Sequence, residues 1–338
     1  MNKRPPPSSG STFIGIEAGG SRTRMLVQQG DESPQYYERP VSIKVRDGNA
    51  AASASNLQKI LSELPGLDGS ATRLTVAIGL SGMSRTEDQA SLKAALVALP
   101  FFHHAKLHLE GDATLTLKAA IPEEEEGILL IIGTGSVIYY RTDDGQVRRI
   151  GGWGPLLSDD GSGYRIGLRA LRRYIGVLDG IYPRAALSNA IAMRLGPEER
   201  DDRTAITRRA ASDPEFVASI ASDAFQTAAT LEGVRDFIYE ELVDLFTMLS
   251  SIVFSNVLRG PKPYTLYLSG SIAKHPITQD AIRMSFEETD LSLVLVDDLA
   301  PCAKALEIAR SLTLESAPFR PAEGGTGIHS SSFTRHRG

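Results

Sequence analysis

Cysteine is nearly absent from this sequence, because Cys302 is the only one among its 338 residues. A single cysteine excludes an internal disulfide, a four-cysteine zinc site and an iron–sulfur cluster held by one chain. The six histidines show no spacing typical of metal ligands, and the adjacent His103 and His104 would point to opposite faces of a strand. We therefore expect a reducing compartment and no transition metal held by the protein.

Long apolar runs and concentrated positive charge are also missing. No run reaches the roughly 20 apolar residues that a transmembrane helix needs. The opening residues, MNKRPPPSSG, lack the apolar centre of a signal peptide. The net charge of −5 and the scattering of arginines along helical stretches argue against nucleic acid as a partner. We expect a cytoplasmic protein that binds neither membranes nor nucleic acid.

What the sequence does contain is a repeated order of predicted strands and helices. The first half is predicted as βββαβαβα, opening with strands at residues 12–17, 23–28 and 35–45. The pattern starts again at residue 127 and is interrupted by a long helical insertion at about 161–258. It resumes with a strand at 264–268 and closes with a helix at 301–314.

Two such halves predict an α/β fold with duplicated domains that face each other across a cleft. We assign residues 12–120 to an N-terminal domain, which the helix 301–314 joins, and residues 121–300 to a C-terminal domain. Ligands bind in such clefts at the carboxyl ends of strands, and a hinge allows the halves to close. Residues 1–11 and 315–338 are polar or proline-rich, so we expect flexible tails there.

Turns of small residues follow three of the predicted strands. They are Gly19-Gly20-Ser21, Gly133-Thr134-Gly135-Ser136 and Gly270-Ser271. Small side chains let backbone N–H groups approach a phosphate closely. The first turn alone would be an ordinary hairpin, since glycine pairs are common there and neither GxxxxGK[ST] nor GxGxxG is present. Three such turns in a duplicated fold predict a nucleotide site.

Two further features suit a second substrate. Asp112 stands where a helix should begin, either as an N-cap or as a base that takes a proton from a bound hydroxyl. Trp153, the single tryptophan, is flanked by glycines and is either a core anchor or a flat surface for a sugar ring. One of Asp159 and Asp160 is expected to cap the next helix, which leaves the other free for sugar hydroxyls.

These segments resemble the acetate kinase, hexokinase and actin-like ATPase superfamily, and within it the N-acetylglucosamine kinases and the BadF/BadG-type ATPases. EAGGSRT is similar to the first phosphate motif, GDATLTLKAA to the segment with the catalytic aspartate, and GTGS to the second phosphate motif. GGWGPLLSDDGSGYRIG resembles GGWGxxxGDEGSxYWIG, and LSGSIAKH resembles the adenosine motif. The resemblance implies duplicated ribonuclease H-like domains, βββαβαβα in each, with a helical insertion in the second.

The resemblance further implies an ATP-dependent kinase that phosphorylates N-acetylglucosamine or glucosamine at the C6 hydroxyl. Asp112 would be the general base, and Mg²⁺ would be carried mainly by the nucleotide. The signature departs from that of the relatives at Ser158-Asp159-Asp160-Gly161, on the sugar side, so the identity of the amino sugar stays open. The expected ATP contacts are Gly19, Gly20, Ser21, Thr23, Gly133, Thr134, Gly135, Gly270, Ser271 and Lys274; the expected sugar contacts are Ser136, Gly152, Trp153, Gly154 and Asp159.

The alternative is a nucleotide-hydrolysing activator of a partner protein, as in the BadF-type relatives. Such activators generally hold an iron–sulfur cluster between subunits through cysteines, and Cys302 alone is a poor candidate for that role. By analogy with the sugar kinases we expect a homodimer.

Overall fold

The computed structural model describes residues 10–18, 22–45, 49–67, 73–81, 83, 86–122, 125, 127–142, 145–254, 264–287 and 291–314. Within these ranges the chain forms two five-stranded sheets, one in each half, with helices packed against them. This is the duplicated α/β architecture that the sequence predicted.

The first sheet and its helices come from the first third of the chain. They are β1 (Ser11–Ala18), β2 (Thr23–Gln29), β3 (Gln35–Arg39), α1 (Ala50–Ser62), β4 (Arg73–Leu80), α2 (Thr86–Val97), β5 (Lys106–Gly111) and α3 (Asp112–Ala120). The strand order is β3-β2-β1-β4-β5. β1 pairs antiparallel with β2 and parallel with β4. Both β1 and β4 are buried along nearly their whole length, as expected of central strands covered by helices on both faces.

The second sheet repeats this topology. Its elements are β6 (Ile128–Ile132), β7 (Ser136–Arg141), β8 (Val147–Gly151), β9 (Tyr264–Ser269), α9 (Pro276–Ser285) and β10 (Leu291–Leu295). The order is β10-β9-β6-β7-β8, with β6, β7 and β8 antiparallel and β6, β9 and β10 parallel. The strand β6 therefore corresponds to β1, and both end at the cleft-forming edge of their sheets.

Among the described residues, five helices lie between β8 and β9 and share one hydrophobic core with the second sheet. They are α4 (Gly163–Leu178), α5 (Ala186–Leu195), α6 (Arg203–Ser212), α7 (Pro214–Ala228) and α8 (Glu232–Phe254). α4 and α7 pack so closely that a Cβ at Gly167 would lie 1.9 Å from the carbonyl oxygen of Val217. Arg194 joins α5 to α7 by donating from Nε and Nη2 to the two carboxylate oxygens of Asp223, at 2.6 and 2.8 Å. This bidentate geometry fixes the relative position of the two helices.

The last described helix, α10 (Pro301–Leu314), returns to the first sheet. Ala305, Leu306 and Ala309 form a small buried cluster with residues of β1, β4 and α3. The contact with β1 is made at Gly15, where an added Cβ would lie 2.2 Å from the Leu306 nitrogen and 2.4 Å from the Cys302 carbonyl oxygen. The C-terminal end of the chain thus completes the N-terminal half.

Most predicted boundaries agree with the structure to within two residues. The third extended stretch, 35–45, is an exception: β3 ends at Arg39, and further along only an isolated bridge from Lys44 to Ser81 is formed among the described residues. Ser11 belongs to β1, so the first predicted tail is too long by that residue. Residues 1–9 and 315–338 lie outside the described residues. The assignment of residues to two domains stays a prediction.

The described helices were also compared with the requirements of a membrane span. Within the described ranges, none combines the length and the apolar character needed to cross a bilayer.

Candidate active site

Asp112 lies at the carboxyl end of the first sheet. It is the first residue of α3 and follows β5 directly. The N-cap of α3 is Gly111, and the Asp112 Oδ1 atom accepts a hydrogen bond from the Ala113 N–H at 2.9 Å. Asp112 is therefore not the N-cap of α3, although its carboxylate satisfies one N–H group of the first turn. Its carboxylate is only partly buried and can act in the cleft.

Glu17 contributes a second carboxylate near Asp112, at the end of β1. Burial raises the pKa of Glu17, Arg24 lowers it, and the charge of Asp112 raises it further. Arg24 lies 3.2 Å from Glu17 through Nη1 and 3.2 Å from Glu38 through Nε. This arginine holds the Glu17 side chain where the chain enters the predicted first phosphate turn.

Only part of that first turn lies within the described residues. Gly19, Gly20 and Ser21 lie outside the described residues. Thr23 is described and is fully buried, with its hydroxyl donating to the Val41 carbonyl at 2.8 Å. Its hydroxyl supports the β2 end of the hairpin, which argues against the expected direct contact between Thr23 and ATP.

The second turn, Gly133-Thr134-Gly135, connects β6 to β7 and lies against the amino end of α4. The Gly133 carbonyl accepts from the Gly163 N–H at 2.8 Å, and the Thr134 carbonyl accepts from the Tyr164 N–H at 3.1 Å. The Thr134 side chain is exposed. A small-residue turn beside a helix amino end, where the helix dipole is positive, suits a phosphate group.

The third turn begins at Gly270, directly after β9. Its φ of +96° favours glycine, and an added Cβ would lie 2.3 Å from the Ile132 carbonyl oxygen. The second and third turns therefore touch each other. Ser271 is exposed, whereas Lys274 donates to the Asp297 carbonyl at 2.8 Å and lies 3.3 Å from its carboxylate. Lys274 would have to leave this partner, or share it, to reach a nucleotide.

Asp159 ties the second turn to the glycine-tryptophan segment. Its carboxylate accepts backbone hydrogen bonds from Gly154 and Ser136, and an added Cβ at Gly135 would lie 2.7 Å from Oδ2. Burial raises the pKa of Asp159 despite these two hydrogen bonds. Among the described non-glycine residues Asp159 alone has a positive φ, +63°. These hydrogen bonds fix the position of the Asp159 side chain. Its carboxylate oxygens have further lone pairs, which could accept a hydrogen bond from a sugar.

The expected capping role of Asp159 or Asp160 is wrong. The N-cap of α4 is Ser162, whose hydroxyl accepts from the Arg165 N–H at 3.3 Å. Asp160 instead lies 3.8 Å from the Arg165 guanidinium. Its carbonyl accepts from the buried Ser136 hydroxyl at 2.7 Å, so Ser136 also acts as a support of the loop.

Trp153 projects into solvent with 71% of its surface exposed, so the alternative of a core anchor is wrong. Gly152 and Gly154 on either side have φ values of +69° and +94°, which lift the indole away from the sheet. Leu156, which follows shortly after, is 90% exposed. An exposed apolar segment next to polar groups is typical of a binding surface.

Two residues that the motifs did not single out also reach the site. Tyr139 on β7 is directly opposite Arg149 on β8. Burial raises the pKa of Tyr139, the charge of Asp112 raises it further, and Arg149, which donates to its hydroxyl, lowers it. The Arg149 guanidinium carbon is 5.5 Å from the centre of the Trp153 ring. The sequence could have indicated Arg149, because it lies just before the glycine-tryptophan segment, on a strand that pairs with β7.

The structure thus provides two carboxylates close enough to influence each other, two touching small-residue turns, and an exposed aromatic ring at the end of β8. Such a set can bind a phosphate-bearing molecule next to a second, hydroxyl-bearing one. In the part of the chain that the structure describes, no group of three or more His, Cys, Asp or Glu side chains is arranged to hold a metal ion.

Comparison with known sequences gives one family and two curated relatives. The BadF/BadG/BcrA/BcrD ATPase family matches residues 14–292. An N-acetylmuramic acid/N-acetylglucosamine kinase of Clostridium acetobutylicum is 32% identical over 174 residues, which are 49% of this chain and 54% of that protein. The chain therefore spans about half the length of this relative. An N-acetyl-D-glucosamine kinase of Dictyostelium discoideum is 25% identical over 289 residues, 82% of this chain and 90% of that protein.

Two solved structures, both with a provisional N-acetylglucosamine kinase assignment, share the fold. The protein from Chromobacterium violaceum has a TM-score of 0.61 at 23% identity and covers 89% of this chain and 100% of its own. The protein from Porphyromonas gingivalis has a TM-score of 0.59 at 18% identity. It covers 87% of this chain and 98% of its own. At this identity the likeness extends to the fold alone, which agrees with the two duplicated sheets described above.

Proposed function

Because the chain belongs to the BadF/BadG/BcrA/BcrD ATPase family, we propose that it is an ATP-dependent kinase acting on an amino sugar. The two curated relatives support sugar kinase activity. The observation that carries the proposal is the position of Asp112, whose carboxylate is at the amino end of α3, in the same cleft as Tyr139, Arg149 and the exposed Trp153.

In the proposed reaction Asp112 accepts the proton of a sugar hydroxyl, which we take to be that on C6. The sugar oxygen forms a bond to the γ-phosphorus of ATP as the bond from that phosphorus to the bridging oxygen of ADP breaks. Trp153 offers its free face to the apolar face of the sugar ring. The protein contributes positioning and proton transfer rather than covalent chemistry.

The nucleotide is proposed to lie on the three small-residue turns. Gly270 supports this, because a side chain at that position would overlap the end of β6 and close the space between the second and third turns. Gly133, Thr134 and Gly135 would contact the phosphates from the amino end of α4, and Gly19, Gly20 and Ser21 would contact them from the first half. Mg²⁺ carried by the nucleotide would neutralise phosphate charge. The carboxylates of Asp112 and Glu17 would suit a hydrated Mg²⁺, which prefers oxygen ligands.

The first experiment is a coupled assay of ADP release from Mg-ATP in the presence of glucose, glucosamine, N-acetylglucosamine, N-acetylmannosamine or N-acetylmuramate. Release that depends on one amino sugar supports the proposal. A 6-deoxy analogue of that sugar should bind without being phosphorylated if C6 carries the acceptor hydroxyl. Release that no sugar stimulates would contradict the proposal and favour the activator alternative.

A substitution at Asp112 tests its role directly. Asp112→Asn should reduce turnover by about 10²- to 10⁴-fold, because general bases contribute factors of this size. The affinity for ATP should change little, since the turns that contact the nucleotide are untouched. Turnover is measured by the coupled assay and nucleotide affinity by calorimetry.

The matched control is Asp88→Asn, because Asp88 also lies in the first turn of a helix, α2, within the first half. It removes the same charge next to a helix dipole without touching the cleft. Equal losses of turnover in the two variants, or full activity in Asp112→Asn, would show that Asp112 is not the base.

A further inference from the structure

A cavity of about 150 Å³ lies among the helices between β8 and β9, enclosed by α4, α5 and the first turn of α8. Its walls include the buried side chains of Tyr174, Leu187, Ile191 and Val234. At about 1.5 Å per residue, Arg173 at this cavity lies about 15 Å along α4 from Gly163, which contacts the second turn. The cavity is therefore separate from the candidate active site.

The interior of this cavity suits an apolar group, because the buried polar side chains on its walls already have partners. The Tyr174 hydroxyl donates to the Arg200 carbonyl at 2.7 Å. The Ser188 hydroxyl donates to the Ala185 carbonyl and accepts from the Ala185 N–H, both at 2.8 Å. A water molecule inside an apolar cavity lacks the polar partners that it needs, whereas about 150 Å³ is enough for benzene. We therefore expect an apolar group of roughly six carbons.

The cavity opens into a groove of about 430 Å³ between α4 and α8. Arg173 and Gly233 line both spaces, so they form the passage from one to the other. No described atom lies within 4 Å of a Cβ added at Gly233, which leaves the passage open on the side of α8. A single molecule can therefore extend from the cavity into the groove.

The groove has an excess of positive charge. Its described lining contains three arginines of α4 and two carboxylates of α8, which are Arg169, Arg172, Arg173, Asp236 and Glu240. Arg169 is already paired with Glu240. Within this lining, Arg172 and Arg173 are thus opposed by Asp236 alone. An oxyanion in the groove would be attracted by the remaining positive charge.

Arg173 is held in position at the passage by an aromatic ring. Its guanidinium carbon lies 4.8 Å from the centre of the Tyr182 ring. Tyr182 is in turn fixed against α4, because its N–H donates to the Gly176 carbonyl at 3.2 Å and an added Cβ at Gly176 would lie 2.6 Å from the ring. A guanidinium that stacks on an aromatic face keeps its N–H groups directed outwards, where they can bind a carboxylate or a phosphate.

We propose that the cavity and the groove form one binding site for a small amphipathic anion. Its aliphatic tail occupies the cavity, and its oxyanion head group binds Arg173 in the groove. The head group is a carboxylate or a phosphate, since a guanidinium binds both. The site adds a second ligand class to the protein and does not depend on the proposed kinase activity, so it is tested by binding alone.

Calorimetry with the full chain measures the binding of hexanoate, hexyl phosphate, hexan-1-ol and butanoate. Hexanoate should bind to one site per chain. Hexan-1-ol lacks the charge and should bind about 10- to 100-fold more weakly, because hydrogen bonds to charged groups contribute that much. Butanoate lacks two methylene groups and should bind about 15-fold more weakly. Tighter binding of hexanoate or of hexyl phosphate supports the proposal in either case and identifies the head group.

Two substitutions separate the two parts of the site. Arg173→Gln should weaken the binding of hexanoate about 10- to 100-fold and leave that of hexan-1-ol unchanged. Gly233→Leu should weaken the binding of both, because its side chain would obstruct the passage. The matched control is Arg208→Gln, which removes the same charge from an exposed position on α6 and should change neither affinity. Urea denaturation verifies that each variant is folded.

Several results would overturn the inference. They are a wild-type protein that binds neither anion, binding of hexanoate no tighter than that of hexan-1-ol, and unchanged affinity for hexanoate in folded Gly233→Leu. An equal loss of affinity in Arg173→Gln and Arg208→Gln would do the same, because it would indicate a general effect of charge rather than a contact with the head group.

Discussion

At the scale of single residues, several side chains of the candidate site form hydrogen bonds with the backbone. Asp159 accepts two backbone N–H groups, and the Ser136 hydroxyl donates to a carbonyl. His275 does the same at the start of α9, where its Nδ1 atom accepts from the Ile277 N–H at 3.3 Å. A neutral imidazole is required there, because a protonated Nδ1 cannot accept a hydrogen bond.

This role of His275 predicts a dependence of stability on pH. Burial lowers the pKa of His275 below its ordinary value of 6.5. The unfolded chain therefore binds more protons than the folded one, so the free energy of unfolding is highest above pH 6.5 and falls as the pH drops through the folded pKa. His275→Asn keeps an effective N-cap that does not titrate.

The measurement is urea denaturation of the wild type and of His275→Asn at pH 8 and at several values below 6.5. The stability of the wild type should fall more steeply with decreasing pH, while the remaining histidines contribute equally to both proteins. Parallel curves would show that His275 does not contribute to the pH dependence.

At the scale of elements, the first half depends on how closely α10 approaches β1. Gly15 allows this approach, since the atoms that an added methyl would meet belong to the backbone of α10 and cannot rotate away. The same strand carries Glu17 one residue before its end, within reach of the charge of Asp112. The packing of α10 therefore determines both the stability of this half and the position of one cleft carboxylate.

Gly15→Ala should destabilise the protein by about 1–3 kcal/mol, the usual cost of overpacking a core. The matched control is Gly233→Ala in α8, where nothing lies within 4 Å of an added Cβ. That change should be neutral or stabilising by up to about 1 kcal/mol, because alanine is the better helix former. Both values come from urea denaturation. Equal effects of the two substitutions would contradict the packing described for α10.

At the scale of the whole molecule, the two halves supply different parts of the site. Asp112 and Glu17 belong to the first half, whereas the second and third turns, Arg149 and Trp153 belong to the second. The halves contact each other where α3 packs against β7 and β8. If Asp112 is the base and the sugar binds to the second half, as proposed above, we expect the two sheets to approach each other around this contact.

Ligand binding should therefore reduce the radius of gyration, measured by small-angle scattering. Asp112→Asn is the suitable protein, because it should bind Mg-ATP and sugar without consuming them. The decrease should be larger with both ligands than with either alone, since each adds contacts between the halves. An unchanged radius with both ligands bound, as verified by calorimetry, would exclude closure. The same samples report the oligomeric state, for which the homodimer stays a prediction.

The order of elements followed from local patterns in the chain, whereas the site residues stay a prediction. Alternation and apolar runs predicted the strands, and glycine-rich segments predicted the turns, because these signals depend only on neighbouring residues. The limits of α3 and α10 were predicted to the residue. The capping expectation failed for Asp159 and Asp160, since the residue that caps a helix depends on where the preceding loop places its side-chain acceptors.

The sequence by itself therefore determined the duplicated α/β fold and the family. Tertiary structure alone decided which side chains of the candidate site are available. It buried Thr23 and Ser136, paired Lys274 with Asp297, and exposed Trp153. It also brought Arg149 opposite Tyr139 through cross-strand pairing and next to the Trp153 ring. The physical reason is that burial and partnership are properties of contacts between residues distant in the chain, which no local pattern encodes.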